Sequence, residues 1–126
     1  MSKEIIQTNN APAPIGPYSQ AVKAGNMLFA SGQIALNPVT NELVIADIES
    51  ETRQVMQNIE AILLASGMGF SHIIKTTIFL KDMNNFGTVN QVYGSFFHAD
   101  FPARETVEVS KLPKDVNVEI SVIAAE

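Results

Sequence analysis

The residues of this sequence whose side chains are best suited to binding or catalysis are an arginine and a glutamate in its last quarter. Arg104 follows Pro102 and begins a short run of residues, 104–109, that suits a half-buried strand. A guanidinium group is always charged, and its planar fork fits a carboxylate through two parallel hydrogen bonds. Glu119 lies near the start of the next apolar run, so the two charges could share one cleft. We therefore expect a small anion site with a nearby group that can orient a water molecule or hold a proton.

Each of these residues also has a purely structural interpretation. Arg104 could form a salt bridge with Glu105, with Glu108 or with a neighbouring strand, as surface arginines commonly do. Glu119 could be a solvated strand glutamate, although the apolar run around it favours partial burial. Thr106 shares the strand face of Arg104 by alternation and could add a hydrogen bond to a ligand. The residues by themselves leave these alternatives open.

Two segments near the N-terminus contribute further candidate binding residues. Tyr18 follows the rigid Gly16-Pro17 step, which fixes where its phenol points, either into a binding site or into the core. Ser31 and Gly32 could present bare backbone to a ligand, because glycine allows a close approach. Ser31 lacks the Gly-x-Ser-x-Gly pattern of hydrolases, so we do not expect it to act as a nucleophile.

Composition excludes several classes of function. The absence of cysteine excludes disulfides, thiolate nucleophiles and cysteine-based metal sites. The formal net charge is −5 and the eight basic residues are scattered, which argues against nucleic acids and anionic membranes as partners. His72 and His98 do not have a metal-ligand spacing, so we expect no metal. No signal peptide or long apolar segment is visible, and we expect a cytoplasmic protein.

The pattern of apolar residues predicts six strands and two helices in the order β-β-β-α-β-α-β-β. The first helix would begin at Asp47 or Ser50 and end near Ala65. The second would run from Phe86 to Phe97. The predicted strands cover residues 4–7, 19–24, 27–31, 73–80, 104–109 and 116–124. We therefore expect one domain over residues 1–126, an α+β sandwich with both helices on one face of a mixed six-stranded sheet and another subunit against the other face.

Six segments, in order along nearly the whole chain, form a pattern that is more specific than any one of them. They are residues 15–22, 30–33, 75–83, 89–93, 101–104 and 112–120. Together they resemble the motifs of the reactive-intermediate deaminase family, RidA (formerly YjgF) subfamily.

The resemblance implies a fold similar to chorismate mutase, assembled as a homotrimer with ligand clefts between subunits. It implies hydrolysis of 2-imino acids, which pyridoxal-phosphate dehydratases release as enamines, to 2-keto acids and ammonia, without a metal or organic cofactor. By position, it implies that Arg104 binds the substrate carboxylate and that Glu119 positions the attacking water. The residues that would line the cleft are Tyr18, Ser31, Gly32, Asn90 and Thr106.

Two positions depart from the family pattern. Thr106 stands where many members have cysteine, so the chemistry would need no thiol. Glu105 replaces a small hydroxyl residue and would add negative charge beside Arg104. We expect this change to retune substrate preference or weaken carboxylate binding. A trimer that binds keto acids without turnover is therefore the alternative to a deaminase.

Overall fold

The structure, a computed structural model, describes residues 2–126 and confirms the predicted order of two helices and six strands. The strands are Lys3–Ile6 (β1), Ala21–Ala24 (β2), Met27–Gln33 (β3), Ile73–Leu80 (β4), Ala103–Glu108 (β5) and Val118–Ala125 (β6). The helices are Ile48–Ala65 (α1) and Phe86–Gly94 (α2). Among residues 2–126, no helix is both long and apolar enough to cross a bilayer.

All six strands form one mixed sheet with the order β1-β2-β3-β6-β4-β5. β4 and β5 are parallel, and each other neighbouring pair is antiparallel. A parallel pair needs a crossover connection, and α2 lies in this one. β6 and β4 are therefore interior strands, while β1 and β5 form the two edges.

One face of the sheet forms the main core beneath both helices. Alternation along β6 places Val118, Ile120 and Val122 in this core, and α1 adds Ile59 and Ile62 from its apolar stripe. A fully buried side chain of this kind stabilises the fold by roughly 1.5–3 kcal/mol. The helix-covered face thus fixes the position of every strand that carries a candidate site residue.

The other face of the sheet, which we call the open face, carries exposed apolar side chains. Ile5, Phe29 and Val107 lie on this face of three different strands, and Phe29 is 46% exposed. Lys75 and Glu105 form an ion pair on the same face at 3.1 Å. This face is therefore partly apolar, and its burial against another subunit remains a prediction.

The N-terminus of α1 distinguishes between the two predicted caps. Asp47 is the N-cap residue, and its carboxylate accepts a hydrogen bond from the Ser50 N–H at 2.7 Å. This bond satisfies one of the free donors of the first helical turn. The same bond lowers the pKa of the Asp47 carboxyl group below its usual value.

The second helix ends earlier than the apolar pattern predicts. α2 stops at Gly94, so the expectation that it continues to Phe97 is wrong. Phe96 and Phe97 instead leave the helix and pack their rings against Phe70, with centroid separations of 5.4 and 5.8 Å. The apolar residues of this segment therefore serve tertiary aromatic packing and do not form another helical turn.

Candidate active site

Arg104 lies on the helix-covered face of the edge strand β5, where it meets one stripe of α2. Its register partner on β4 is Thr76, whose side chain is buried beneath α2. The Arg104 guanidinium donates from Nη1 to Asn90 Oδ1 at 2.7 Å. Its Cζ lies 5.6 Å from the ring centroid of Phe86 and 5.2 Å from that of Tyr93. Because residues 86, 90 and 93 are spaced i, i+4 and i+7, one helix face orients the cation.

The charge of Arg104 is not neutralised within the described chain. Among residues 2–126, Arg104 has no ion-pair partner. Glu105 points to the open face and pairs with Lys75, while Glu108 accepts a hydrogen bond from the Met83 N–H at 2.8 Å. The alternative of a salt bridge from Arg104 to Glu105 or Glu108 is therefore wrong, as is the expectation that Glu105 places its charge beside Arg104.

A recess of about 490 Å³ opens beside this guanidinium, and we call it the arginine recess. Its polar groups are Arg104, Asn90 and the edge of Tyr93, and Phe101 forms an exposed apolar wall. The Tyr93 hydroxyl shares a buried hydrogen bond with Thr76 at 2.9 Å. Burial raises the pKa of Tyr93, so its phenol stays neutral at physiological pH. The recess can therefore hold a small anion beside an aromatic surface.

Glu119 lies in a separate cavity of about 300 Å³, which we call the glutamate cavity. Tyr18, Ser31 and Gly32 line this cavity with Glu119, and the rest of its wall is mainly apolar. Burial raises the pKa of the Glu119 carboxyl group, because the low-polarity surroundings disfavour its charged form. The Ser31 hydroxyl donates to the Ser19 carbonyl at 2.6 Å, which fits the expectation that it is no nucleophile.

A β-bulge creates the space for the Glu119 side chain. β3 pairs with β6 in register up to Ala30 opposite Val122, and the register then shifts so that Gln33 faces Ile120. The extra residue lies in the Ser31–Gly32 step, and such bulges commonly redirect side chains next to functional sites. A Cβ atom on Gly32 would lie 2.9 Å from Glu119 Cδ and closer still to Oε2. Any larger residue at position 32 would therefore force the Glu119 carboxylate out of this position.

We expect Gly32→Ala to lower strongly the turnover of the 2-imino acid hydrolysis that the family resemblance implies. The new methyl group would occupy the space of the Glu119 carboxylate. A displacement of about 1 Å in a reacting group can cost on the order of a hundredfold in rate. Gly69→Ala is the matched control, since a Cβ there meets nothing within 4 Å. The kcat values of both variants, compared with the parent, test this. Equal kcat values for all three proteins would refute the role assigned to Gly32.

Arg104 and Glu119 lie on opposite faces of the sheet within one chain. Arg104 is level with Thr76, which faces the helices, whereas Glu119 is level with Phe79. Residues 76 and 79 are an odd number apart on one strand, so their side chains point to opposite faces. The expectation of a single cleft that holds both charges is therefore wrong within one chain.

The remaining predicted residues divide between the arginine recess and the glutamate cavity. Asn90 lies in the arginine recess, and Tyr18, Ser31 and Gly32 lie in the glutamate cavity. Thr106 lies on the face of Arg104 as predicted, but it lines neither space. Its hydroxyl oxygen is buried and has no hydrogen-bond partner among residues 2–126. Within those residues, no three His, Asp or Glu side chains cluster closely enough to hold a metal ion.

Two structural supports of the site were not predicted from the sequence. Phe86 and Tyr93 clamp Arg104, and their spacing relative to Asn90 on one helix stripe is the signal that could have revealed them. Gln20 is 3% exposed and holds the proline-rich wall of the glutamate cavity. Its amide group accepts from the Thr8 N–H and donates to carbonyl oxygens of residues 8, 11 and 12. No local pattern identifies these long-range bonds.

The mixed sheet with two helices on one face matches the solved structures of YjgF and RidA proteins, which places the protein in the RidA class. The chain belongs to the YjgF/RidA family, whose model is described as Endoribonuclease L-PSP and matches residues 8–126. This membership confirms the resemblance found in the six sequence segments.

Three known proteins show how extensive the similarity is. The chain is 57% identical to a RutC family protein of Pyrococcus horikoshii over 122 residues, which cover 97% of each. It is 54% identical over 127 residues to the 2-iminobutanoate/2-iminopropanoate deaminase of Escherichia coli strain K12, with 98% of each covered. Its structure matches that of E. coli TdcF with bound serine at a TM-score of 0.94, with 45% identity and 98% of each chain covered.

Proposed function

We propose that this protein hydrolyses small 2-imino acids, released as enamines by pyridoxal-phosphate dehydratases, to 2-keto acids and ammonia. The observation that carries the proposal is the oriented guanidinium of Arg104, which faces a recess and has no ion-pair partner among residues 2–126. The 54% identity to a protein named as a deaminase of this type supports the same reaction.

Arg104 would bind the substrate through its carboxylate. One guanidinium nitrogen is held by Asn90, which fixes the direction of the fork and leaves the other donors for a bidentate contact. Phe86 and Tyr93 restrict the rotation of the side chain. Holding the substrate in one orientation supplies a large part of the rate enhancement for a reaction that needs no covalent intermediate.

Glu119 would accept a proton from the water that attacks the substrate. A protonated imine carbon is a strong electrophile, so water oxygen bonds to it while the C=N electron pair moves to nitrogen. The proton lost by the water passes to the Glu119 carboxylate, which then returns it to the amino group. The C–N bond breaks and ammonia leaves, while the hydroxyl group that came from the water loses its proton to the Glu119 carboxylate and becomes the carbonyl of the 2-keto acid. Ammonia then takes this proton as ammonium, and Glu119 is again a carboxylate. A carboxyl whose pKa is raised by burial is a better base for this step than an ordinary glutamate.

The proposed site is completed between subunits of a homotrimer. The opposite placement of Arg104 and Glu119 supports this, because a second copy can bring an arginine recess against a glutamate cavity. The exposed apolar side chains of the open face supply a surface for such packing. Sedimentation equilibrium should give three times the chain mass, and a monomer that retains full activity would contradict the shared site.

Mixed trimers of two inactive variants should recover activity. In a ring, each site would take Arg104 from one subunit and Glu119 from its neighbour. Random co-refolding of equal amounts of Arg104→Ala and Glu119→Gln should then leave about a quarter of the sites with both residues. Recovery of roughly a quarter of the parental rate is the expected result. A mixture no more active than the separately refolded variants would show that both residues serve one chain.

A coupled assay with a serine or threonine dehydratase tests the reaction itself. The parent protein should accelerate keto-acid release from the imine while leaving the dehydratase rate unchanged. Free imines hydrolyse spontaneously, so the control is the same reaction with Arg104→Ala at equal concentration. If the parent adds nothing to the spontaneous rate, the deaminase proposal fails.

A non-catalytic keto-acid-binding trimer is the second candidate. A solved relative with bound serine favours a small-molecule ligand whether or not turnover occurs. Titration with 2-ketobutyrate beside the turnover assay separates the two functions, since binding without acceleration supports the binding protein.

The description of the family model also names an endoribonuclease, but a net charge of −5 weighs against binding to the phosphate backbone of RNA.

A further inference from the structure

A completely buried carboxyl group, which the proposed mechanism does not use, lies directly behind Glu119. Glu51 is in the first turns of α1 and is 0% exposed. Its Oε2 accepts hydrogen bonds from the backbone N–H of Asn117 at 2.8 Å and of Val118 at 3.1 Å. Its Oε1 accepts from the Asn117 side-chain amide at 2.8 Å. All three donors therefore belong to the two residues that precede Glu119.

The sheet does not supply acceptors for these backbone donors. β3 pairs with β6 only as far as Gln33, which faces Ile120, so residues 117 and 118 lie beyond this pairing. On the other side, Leu80 of β4 is level with Val118, and the N–H of Lys81, the residue after β4, donates to the Asn117 carbonyl at 3.0 Å. A buried N–H without an acceptor is unfavourable, and Glu51 takes the place of the missing strand.

The turn that leads into β6 also has a strained backbone. Lys114 and Asp115 have φ angles of 55° and 58°, so two consecutive residues with side chains adopt the left-handed region. Such a turn persists where its surroundings hold it. Lys81 pairs with Asp115 at 2.8 Å on the outer side, and Glu51 holds residues 117 and 118 on the inner side. Pro113 of the same turn lines the glutamate cavity.

We propose that Glu51 is a positioning residue for Glu119, an inference that rests on the proposed deaminase function. By fixing the backbone of residues 117 and 118 to α1, Glu51 keeps the Glu119 carboxylate over Gly32. All three bonds of Glu51 reach the residues that lead into Glu119 and none reaches Arg104, so Glu51 acts through the proton-accepting step and not through binding of the substrate carboxylate.

Two substitutions separate the hydrogen-bonding role of Glu51 from its volume. Glu51→Leu fills similar space but removes all three acceptors. Glu51→Gln keeps one oxygen for both backbone donors, and its amide can donate to Asn117 once the Asn117 amide has turned over. Glu49→Leu is the matched control, since Glu49 lies in the same first turn of α1 but is exposed and paired with Arg53 at 3.5 Å.

Loss of the Glu51 hydrogen bonds should lower kcat rather than raise KM. Glu51→Leu should lower kcat by about tenfold to a hundredfold, the range expected when a reacting group is misplaced by about 1 Å. KM should stay close to that of the parent, and Glu51→Gln should recover most of the lost kcat. Carbon-13 NMR titration of the Glu119 carboxyl, assigned with Glu119→Gln, gives a second readout. In Glu51→Leu its pKa should move back toward the ordinary glutamate value, while Glu49→Leu should leave both readouts unchanged.

The two readouts distinguish failure of this inference from failure of the proposed function. If the parent protein shows no turnover, but the pKa of Glu119 still differs between the parent and Glu51→Leu, the deaminase proposal is refuted and the positioning role is supported. An active parent with both readouts unchanged in a folded Glu51→Leu would overturn the positioning role alone, as would equal losses in Glu51→Leu and Glu51→Gln. If Glu51→Leu fails to fold, Asn117→Ala removes one donor and should shift both readouts in the same direction. No shift in that variant would also overturn the inference.

Discussion

Replacing Arg104 with alanine should lower kcat/KM for a small 2-imino acid by about a thousandfold. Removal of one partner from a hydrogen-bonded charge pair costs about 2–5 kcal/mol, and each 1.4 kcal/mol corresponds to a factor of ten. The proposed substrate carboxylate has no other cation in the arginine recess to bind, since Arg104 is the one charged residue among those that line it in the described chain. Steady-state kinetics in the coupled dehydratase assay measure the effect.

Two further variants give the Arg104 prediction its specificity. Arg104→Lys keeps the charge but replaces a planar fork with a point charge, so its activity should lie between those of the parent and Arg104→Ala. Arg53→Ala is the control for loss of an arginine, because Arg53 is exposed on α1 and pairs with Glu49. It should retain parental kinetics. An Arg104→Ala protein with parental kcat/KM would remove the main support for the proposed function.

Replacing Glu119 with glutamine should lower kcat by about 10² to 10⁴, the usual range for loss of a general base. The substitution preserves shape, so the amide still fits over Gly32 and KM should change little. Glu60→Gln is the matched control, since Glu60 is an exposed residue of α1 and should leave kcat unchanged. A variant that loses substrate affinity instead of kcat would assign Glu119 to binding.

The raised pKa of Glu119 gives this prediction a pH dependence. Because the carboxylate form accepts the proton, kcat of the parent should fall as pH drops through a pKa above the ordinary glutamate value. Glu119→Gln should lack this acid limb. A profile of the parent that is flat through this region would contradict the role of Glu119 as the base.

The same shift links activity to stability. A folded-state pKa above the unfolded one means that the folded protein binds the proton more tightly. The stability contributed by the protonated carboxyl is fully present below the unfolded pKa and is lost as pH rises through the folded pKa. At neutral pH the charged Glu119 therefore weakens the fold, and Glu119→Gln should raise Tm as it lowers kcat. Thermal unfolding at neutral and acidic pH should show the difference between the two proteins shrinking as pH falls.

The sequence by itself determined the order of the helices and strands and the family. The sequence predicts β4 over residues 73–80, and α1 from Asp47 or Ser50 to near Ala65, because apolar periodicity and capping chemistry are local properties. Alternation correctly placed Arg104 and Thr106 on one strand face. Six motifs in order were enough to identify the family, since each preserves a residue pattern that needs no coordinates to be read.

Only the tertiary structure decided how the candidate charges are arranged. Alternation fixes which side chains of one strand point together, but strand register decides which face of the sheet they share with other strands. That register put Arg104 beneath the helices and Glu119 on the open face, and it moved Glu105 away from Arg104. The bulge at Gly32, like the three bonds of Glu51, joins residues distant in sequence. Such contacts depend on chain folding in three dimensions, which local patterns do not encode.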